Sequence, residues 1–307
     1  MVTILQGDCR EVLKTFPEGS VNCCVTSPPY YGLRDYGVDG QIGLEKTPDS
    51  YVTELVAVFA QVRRVLRDDG TLWINLGDSY CTSAPNGMQG KNGGRKDRTF
   101  TASGLPCKNG FGMKPKDLIG IPWMVAFALR ADGWYLRQDI IWHKPNTMPE
   151  SVTDRCTKAH EYVFLMSKSA TYHCDMEAIK DPVAQSTVER LAQDVESQTG
   201  SDRVPFKTNG NMKAVGNSET RNKRSVWTVN TKPYKGSHFA TFPPSLIRPM
   251  IIAGCPIGGT VIDPFGGSGT TGQVSEEEGR NAVLIELNPE YIKLQEQRTA
   301  QMGLFCA

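Results

Sequence analysis

Residues 26–30 read Thr-Ser-Pro-Pro-Tyr and end a mostly apolar run, Val21 to Val25. A proline nitrogen carries no hydrogen and its ring fixes φ. Pro28 and Pro29 therefore hold the turn rigid and leave their carbonyl oxygens as acceptors for a ligand. Ser27 adds a hydroxyl acceptor and Tyr30 a flat aromatic face. Rigid acceptors beside an aromatic plane suit a planar heterocycle that bears an amino group. Such a nitrogen is a poor nucleophile, because its lone pair is delocalised into the ring. Two acceptors on its hydrogens, Ser27 Oγ and the Pro28 carbonyl, favour a pyramidal nitrogen whose lone pair attacks a sulfonium methyl held in line. Orientation and electrostatics supply the acceleration, and no covalent enzyme nucleophile is needed.

A second constellation lies near the other end of the chain, in VIDPFGGSGTTG at 261–272. Gly267, Gly269 and Gly272 match G-x-G-x-x-G directly after one apolar run and before a helical pattern, and Glu286 closes the next apolar run nineteen residues after Gly267. Glycines there allow a sharp turn and a close approach of backbone to ligand, while a carboxylate at the next strand's end accepts hydrogen bonds from ribose hydroxyls. The pair points to a nucleotide-type cofactor, NAD or another adenosine compound.

Both constellations need a scaffold that brings strand ends together. Apolar runs at 2–8, 20–29 and 71–77 alternate with an amphipathic segment at 10–16 and a long helical pattern at 50–70, which the Asp69-Gly70 pair is expected to stop. Such alternation predicts βαβ units and a parallel sheet. A helix is expected near 117–131, and an antiparallel pair at the sheet edge from 135–144 and 160–169. Residues 170–235 lose periodicity, with one short helix expected at 185–195. Order returns with a helix near 243–254, strands at 258–265 and 281–287 around a helix after the glycines, and a last helix from Pro289.

The chain has 307 residues, 39% of them hydrophobic, ample for a large core. No apolar run approaches the roughly 18 residues that cross a bilayer, and a cytoplasmic protein is expected. Nine scattered cysteines, an odd number with no C-x-x-C pair, read as free thiols, so neither metal sites nor disulfides are expected. The net charge of +1 hides two basic stretches: 88–116 has seven basic residues against Asp97, and 203–235 has eight against Glu219. Two basic, polar insertions on an otherwise slightly acidic body suit a polyanion.

Taken together, TSPPY at 26–30, DPFGGSGTT at 263–271 and AVLIELNPEY at 282–291 resemble the beta-class DNA amino-methyltransferases, which modify cytosine N4 or adenine N6 with S-adenosylmethionine. The likeness spans nearly the whole chain, catalytic half first and cofactor half last. It implies an α/β fold, a seven-stranded Rossmann-like sheet in circularly permuted order with basic DNA-recognition inserts. On that basis 1–170 form the catalytic half with a basic insert at 80–116, 171–235 the target-recognition insert, and 236–307 the cofactor half.

The resemblance assigns catalysis to Ser27, Pro28, Pro29 and Tyr30. It assigns the cofactor to Asp8, Phe239, Phe242, Asp263, Phe265, Gly267, Gly269, Thr270 and Glu286. Asp8 would meet the adenine amino group, and HFATFPPSLI at 238–247 would close over the cofactor. The implied partner is double-stranded DNA with its target base flipped out and stacked on Tyr30, in a setting that admits a cognate restriction enzyme or a phage. Lys96, Arg98, Arg221, Lys223 and Arg224 are the expected DNA contacts. Serine before the prolines favours cytosine N4, with adenine N6 the alternative within the family. Two other classes share part of the pattern. A nicotinamide oxidoreductase explains the glycines but not S-P-P-Y, and a non-catalytic nucleic-acid-binding module explains only the basic stretches.

Overall fold

Alternating apolar strands and amphipathic helices build the molecule much as their spacing predicts. The computed structural model describes residues 1–81, 113–191, 219–231 and 242–303; Lys96, Arg98 and Phe239 lie outside them. In chain order the elements are β1 (Val2–Gln6), α1 (Cys9–Val12), β2 (Val21–Thr26), α2 (Pro48–Val65), β3 (Leu66–Leu76), α3 (Ile121–Ala131), β4 (Tyr135–His143) and β5 (His160–Ser167). There follow β6 (Asp181–Pro182), α4 (Gln185–Leu191), β7 (Thr220–Arg221), β8 (Val226–Thr228), α5 (Pro244–Gly254), β9 (Thr260–Asp263), α6 (Thr270–Glu277), β10 (Asn281–Glu286) and α7 (Pro289–Gly303).

One mostly parallel sheet runs in the order β1-β10-β9-β2-β3-β5-β4-β8. Strands from both ends of the chain interleave in it, β9 and β10 lying between β1 and β2. From β9 the chain crosses through α6 to β10 on one side, and from β2 it crosses through α2 to β3 on the other. The order therefore reverses between β9 and β2, the place where open α/β sheets leave a crevice beyond their carboxyl ends. β5 runs antiparallel to both β3 and β4, so its first residues lie at that same edge, with Tyr162 opposite Leu76.

α2 shows how the sequence sets an element. Pro48 occupies its first turn, and Thr47 and Ser50 cap each other's backbone N–H groups. Tyr51, Leu55, Val58, Phe59 and Val62 then bury one helical face. The helix ends at Val65, short of the Asp69-Gly70 pair expected to stop it. Leu66 is already extended and pairs with Val21, but the ladder with β2 resumes only at Thr71 opposite Cys23, so residues 67–70, with Asp69 and Gly70, form an irregularity within β3 that is unpaired with β2. The turn signal breaks the ladder inside β3 and does not set the end of the helix.

The sheet has eight strands among the described residues where seven are expected. The eighth, β8, has three residues and pairs in parallel with β4, so β4 and β5 are not the outer edge. Its reason for joining is Trp227, which is buried with its ring 6.5 Å from that of Trp73, while Trp142 Nε1 donates to the carbonyl of Val229 at 2.8 Å. Contacts divide the chain into two compact units, one of 1–174 with 225–307 and one of 175–224. The smaller contains the β6–β7 ladder and α4, and in it Lys223 Nζ pairs with Asp181 at 2.9 Å. No described helix is long and apolar enough to cross a membrane.

If β8 belongs to the core, Trp227→Ala should cost about 3–5 kcal/mol in denaturant unfolding, as for other buried aromatic truncations. A loss below about 1 kcal/mol would place β8 outside the cooperative core.

Candidate active site

Four of the sheet's carboxyl ends, those of β1, β2, β9 and β10, converge on one pocket. Its wall includes Ser27, Pro28, Pro29 and Tyr30 after β2, Phe265, Gly267 and Thr270 after β9, and Glu286 at the end of β10. Asp8 and Phe242 line it as well. Both sequence constellations therefore meet in one cavity. Gly269 does not line the cavity; it caps α6 in the left-handed region at φ 82°, where a side chain would be strained.

Asp263 lies beneath the pocket and joins its halves. Oδ1 accepts from the Thr26 hydroxyl at 2.6 Å and from the Phe265 N–H at 3.1 Å, and Oδ2 accepts from the Thr271 hydroxyl at 2.6 Å. Burial pushes its pKa up to about 6, against the pull of these three donors. Glu286 is similar. Gly267 N–H donates to Oε2 and Asn288 N–H to Oε1, each at 2.8 Å, and burial raises the carboxyl to about 7. Each Glu286 oxygen holds one N–H and faces the cavity, with lone-pair capacity left for a ligand.

Around S-P-P-Y the structure adds partners that spacing does not show. Tyr51 donates to the Pro29 carbonyl at 2.8 Å, so that carbonyl braces the turn and is not free for a ligand as expected. Among the described residues the Pro28 carbonyl accepts no hydrogen bond. The Tyr30 hydroxyl reaches Glu161 Oε2 at 2.6 Å and Asn75 Oδ1 at 3.1 Å, and its ring lies so close to Gly77 that a Cβ there would stand 2.4 Å from Cε2. Burial, then the Glu161 charge, hold the Tyr30 phenol well above its usual range.

Asp8 lines the pocket but is already engaged. Arg10 donates to both of its oxygens, at 2.6–3.0 Å, while also pairing with Glu54 at 2.8 Å. Burial raises the Asp8 carboxyl, and the Arg10 bonds more than reverse this, leaving its pKa below the ordinary value. Tyr36 and Tyr291 also line the cavity, ring centroids 6.2 Å apart edge to face. Tyr31 faces the core against Tyr51. Of the expected DNA contacts within the smaller unit, Lys223 is paired with Asp181, Arg221 lies in β7, and Arg224 is exposed.

Known proteins resemble this chain in sequence and in fold. The profile of a family described as DNA methylase matches residues 21–297. The Type II methyltransferase M.Cfr9I of Citrobacter freundii is 47% identical over 292 residues, covering 95% of this chain and 85% of that protein. M.SmaI of Serratia marcescens is 46% identical over 295 residues, covering 96% and 89%. Among solved structures, the cytosine-N4-specific PvuII DNA methyltransferase superposes with a TM-score of 0.64 at 20% identity, covering 97% of this chain and 86% of that one. A putative DNA modification methylase of Thermus thermophilus, solved with S-adenosyl-L-methionine, gives 0.58 at 24% identity, covering 98% and 95%.

The Asp263 carboxyl makes a pH prediction. Folded, it holds its proton to about 6, against an ordinary value of 3.8. Between those values the unfolded chain has released a proton that the folded chain keeps, so this group's contribution to stability falls as pH rises. In denaturant titrations from about pH 4 to about pH 7, wild type should lose ground relative to Asp263→Asn. A gap that stays constant with pH would contradict the assignment.

Proposed function

Because the chain belongs to the DNA methylase family, we propose that it transfers a methyl group from S-adenosylmethionine to an exocyclic amino nitrogen of a base flipped out of duplex DNA, cytosine N4 in preference to adenine N6. The observation that carries this reading is the meeting of S-P-P-Y, the glycine loop and Glu286 in one pocket. A nicotinamide enzyme has no use for the first of these, and a binding module has no use for any of them.

The residues present fit the cofactor. Glu286 has acceptor capacity for two ribose hydroxyls, the glycine loop brings backbone close, and Tyr36, Tyr291, Phe242 and Phe265 supply apolar walls. Asp8 would share its carboxylate between Arg10 and the adenine amino group. When bound, S-adenosylmethionine supplies an electrophilic methyl on a sulfonium. Ser27 Oγ and the Pro28 carbonyl accept the two hydrogens of the target amine and turn its lone pair toward that methyl, while Tyr30 stacks on the ring. Ser27 is an alcohol and does not keep the proton released by the product nitrogen, which passes to water. Serine rather than a carboxylate at position 27, together with the cytosine-N4-specific fold relative, supports cytosine as the base. Basic residues of 88–116 and 203–235, including Lys96, Arg98, Arg221 and Arg224, would hold the phosphates. On this reading the protein works in the cytoplasm, with or without a cognate restriction enzyme.

Duplex DNA incubated with methyl-labelled S-adenosylmethionine and digested to nucleosides should carry label on an exocyclic nitrogen, as N4-methylcytosine. N6-methyladenine alone would change the base and keep the mechanism. Label on cytosine carbon 5 would overturn the mechanism, since that reaction needs a cysteine nucleophile that this turn lacks.

Cofactor affinity should also depend on pH. Ribose hydroxyls donate to the ionised form of Glu286, whose carboxyl sits at about 7. Protons compete with the cofactor below that value, so affinity should fall by up to about tenfold per pH unit as pH drops below about 7. Glu286→Gln should bind more weakly near neutrality and lose this slope. Calorimetry that found wild-type affinity independent of pH from about 5.5 to about 8 would remove Glu286 from the ribose site.

A further inference from the structure

S-P-P-Y supplies Ser27 as an acceptor, but a hydroxyl donates as readily as it accepts, and in the wrong orientation its hydrogen would face the target amino group. Something must set its direction. Asn75, on β3, and Glu161, on β5, stand behind the turn, where neither the glycine loop nor S-P-P-Y accounts for them. Asn75 is buried, and Glu161 has a side chain only 14% exposed.

The hydrogen bonds of this cluster leave little freedom. Asn75 Nδ2 donates one hydrogen to Glu161 Oε2 at 3.2 Å and the other to the Tyr162 carbonyl at 3.1 Å. Both amide hydrogens are thereby used, so Oδ1 must be the atom that faces the turn. It lies 3.4 Å from Ser27 Oγ and 3.1 Å from the Tyr30 hydroxyl. The single hydrogen of Tyr30 has its shorter contact, 2.6 Å, to Glu161. Lys144 pairs with the other Glu161 oxygen and lies 4.1 Å over the Trp142 ring, which fixes the carboxylate from behind. The Ser27 hydrogen thus meets acceptors on the inner side, away from the cavity.

We propose that Asn75 and Glu161 are positioning residues that turn the Ser27 hydroxyl into an obligate acceptor for the target amino group. The inference rests on the amino-methyl-transfer reading. Glu161 acts at one remove. Without its carboxylate only the Tyr162 carbonyl still holds Nδ2, and the Asn75 amide loses much of the bias that keeps it from flipping to present Nδ2 to Ser27. Ser27 would then accept from the amide and point its own hydrogen at the amine. The Ser27–Asn75 hydrogen bond, at 3.4 Å, is a long one.

The test measures kcat for amino-methylation of duplex DNA and, separately, the Kd of S-adenosylmethionine. Asn75→Leu and Glu161→Leu should each lower kcat by about tenfold or more while the cofactor Kd stays within about twofold, the pattern of an interaction used in the transition state. Asn75→Asp alone sets two carboxylates face to face and should also lower kcat. Combined with Glu161→Gln it restores an acceptor at 75 and a donor at 161, while the Tyr162 carbonyl still lacks its hydrogen, so kcat should recover in part, to at least about threefold above Asn75→Asp alone. A merely structural role would not produce that rescue. Wild-type kcat in Asn75→Leu, or a double variant no better than Asn75→Asp alone, would overturn the proposal. Wild type run alongside keeps the two readings apart: failure to label an amino nitrogen in wild type would reject the transfer reading itself, and this inference with it.

Discussion

A buried carboxylate holds the two ends of this chain in register. Asp263 takes hydroxyl hydrogens from Thr26, at the end of β2, and from Thr271, in the first turn of α6, and a backbone hydrogen from Phe265 between them. Burying an acid costs free energy unless hydrogen bonds replace its water, and three donors do so here. The bond from Thr26 crosses the sheet where its order reverses, between β9 and β2. Ser27 lies one residue beyond Thr26, and the glycines begin at Gly266, three residues beyond Asp263. Residues more than two hundred positions apart in sequence are thereby held as neighbours in the crevice.

The surroundings of the pocket follow from that placement. Because β2 and β9 end at the same edge, the S-P-P-Y turn and the glycine loop face a single cavity. Tyr51 ties down the turn through the Pro29 carbonyl, and Gly77 makes room for the Tyr30 ring. Because β5 runs against β3, Glu161 arrives at the same edge from the opposite chain direction, beside Asn75. Direct transfer to an amino nitrogen asks a protein for rigid acceptors, an aromatic face and an aligned electrophile. It asks for no nucleophilic side chain, and the turn offers none.

Much of this was legible in the sequence because it is local. S-P-P-Y, the glycine spacing and Glu286 are short stretches whose chemistry reads without a fold, and alternating apolar runs predicted the mostly parallel sheet around them. The chain was less legible where distant residues decide. Nothing near Asp8 and Arg10 says that Glu54 would pair with that arginine, and nothing near Asn75 says that Glu161 would lie beside it. Tyr36 and Tyr31 look alike in sequence, yet one lines the pocket and the other packs on Tyr51. β8 is too short for its alternation to register, and only the burial of Trp227 explains it. At Asp69-Gly70 the turn signal interrupts the ladder inside β3 instead of ending the helix, since Leu66 already pairs with Val21.

If the cofactor site depends on a residue from the other half of the chain, Thr26→Val must bind S-adenosylmethionine more weakly than wild type. Valine keeps the shape of threonine and removes only the hydroxyl, and Thr26 is not among the residues lining the pocket. The expected affinity loss is several-fold to about tenfold, as for the loss of roughly 1 kcal/mol of charge-assisted hydrogen bonding transmitted through Asp263 to the Phe265 N–H and the loop. A folded Thr26→Val protein that binds the cofactor as tightly as wild type would contradict that dependence.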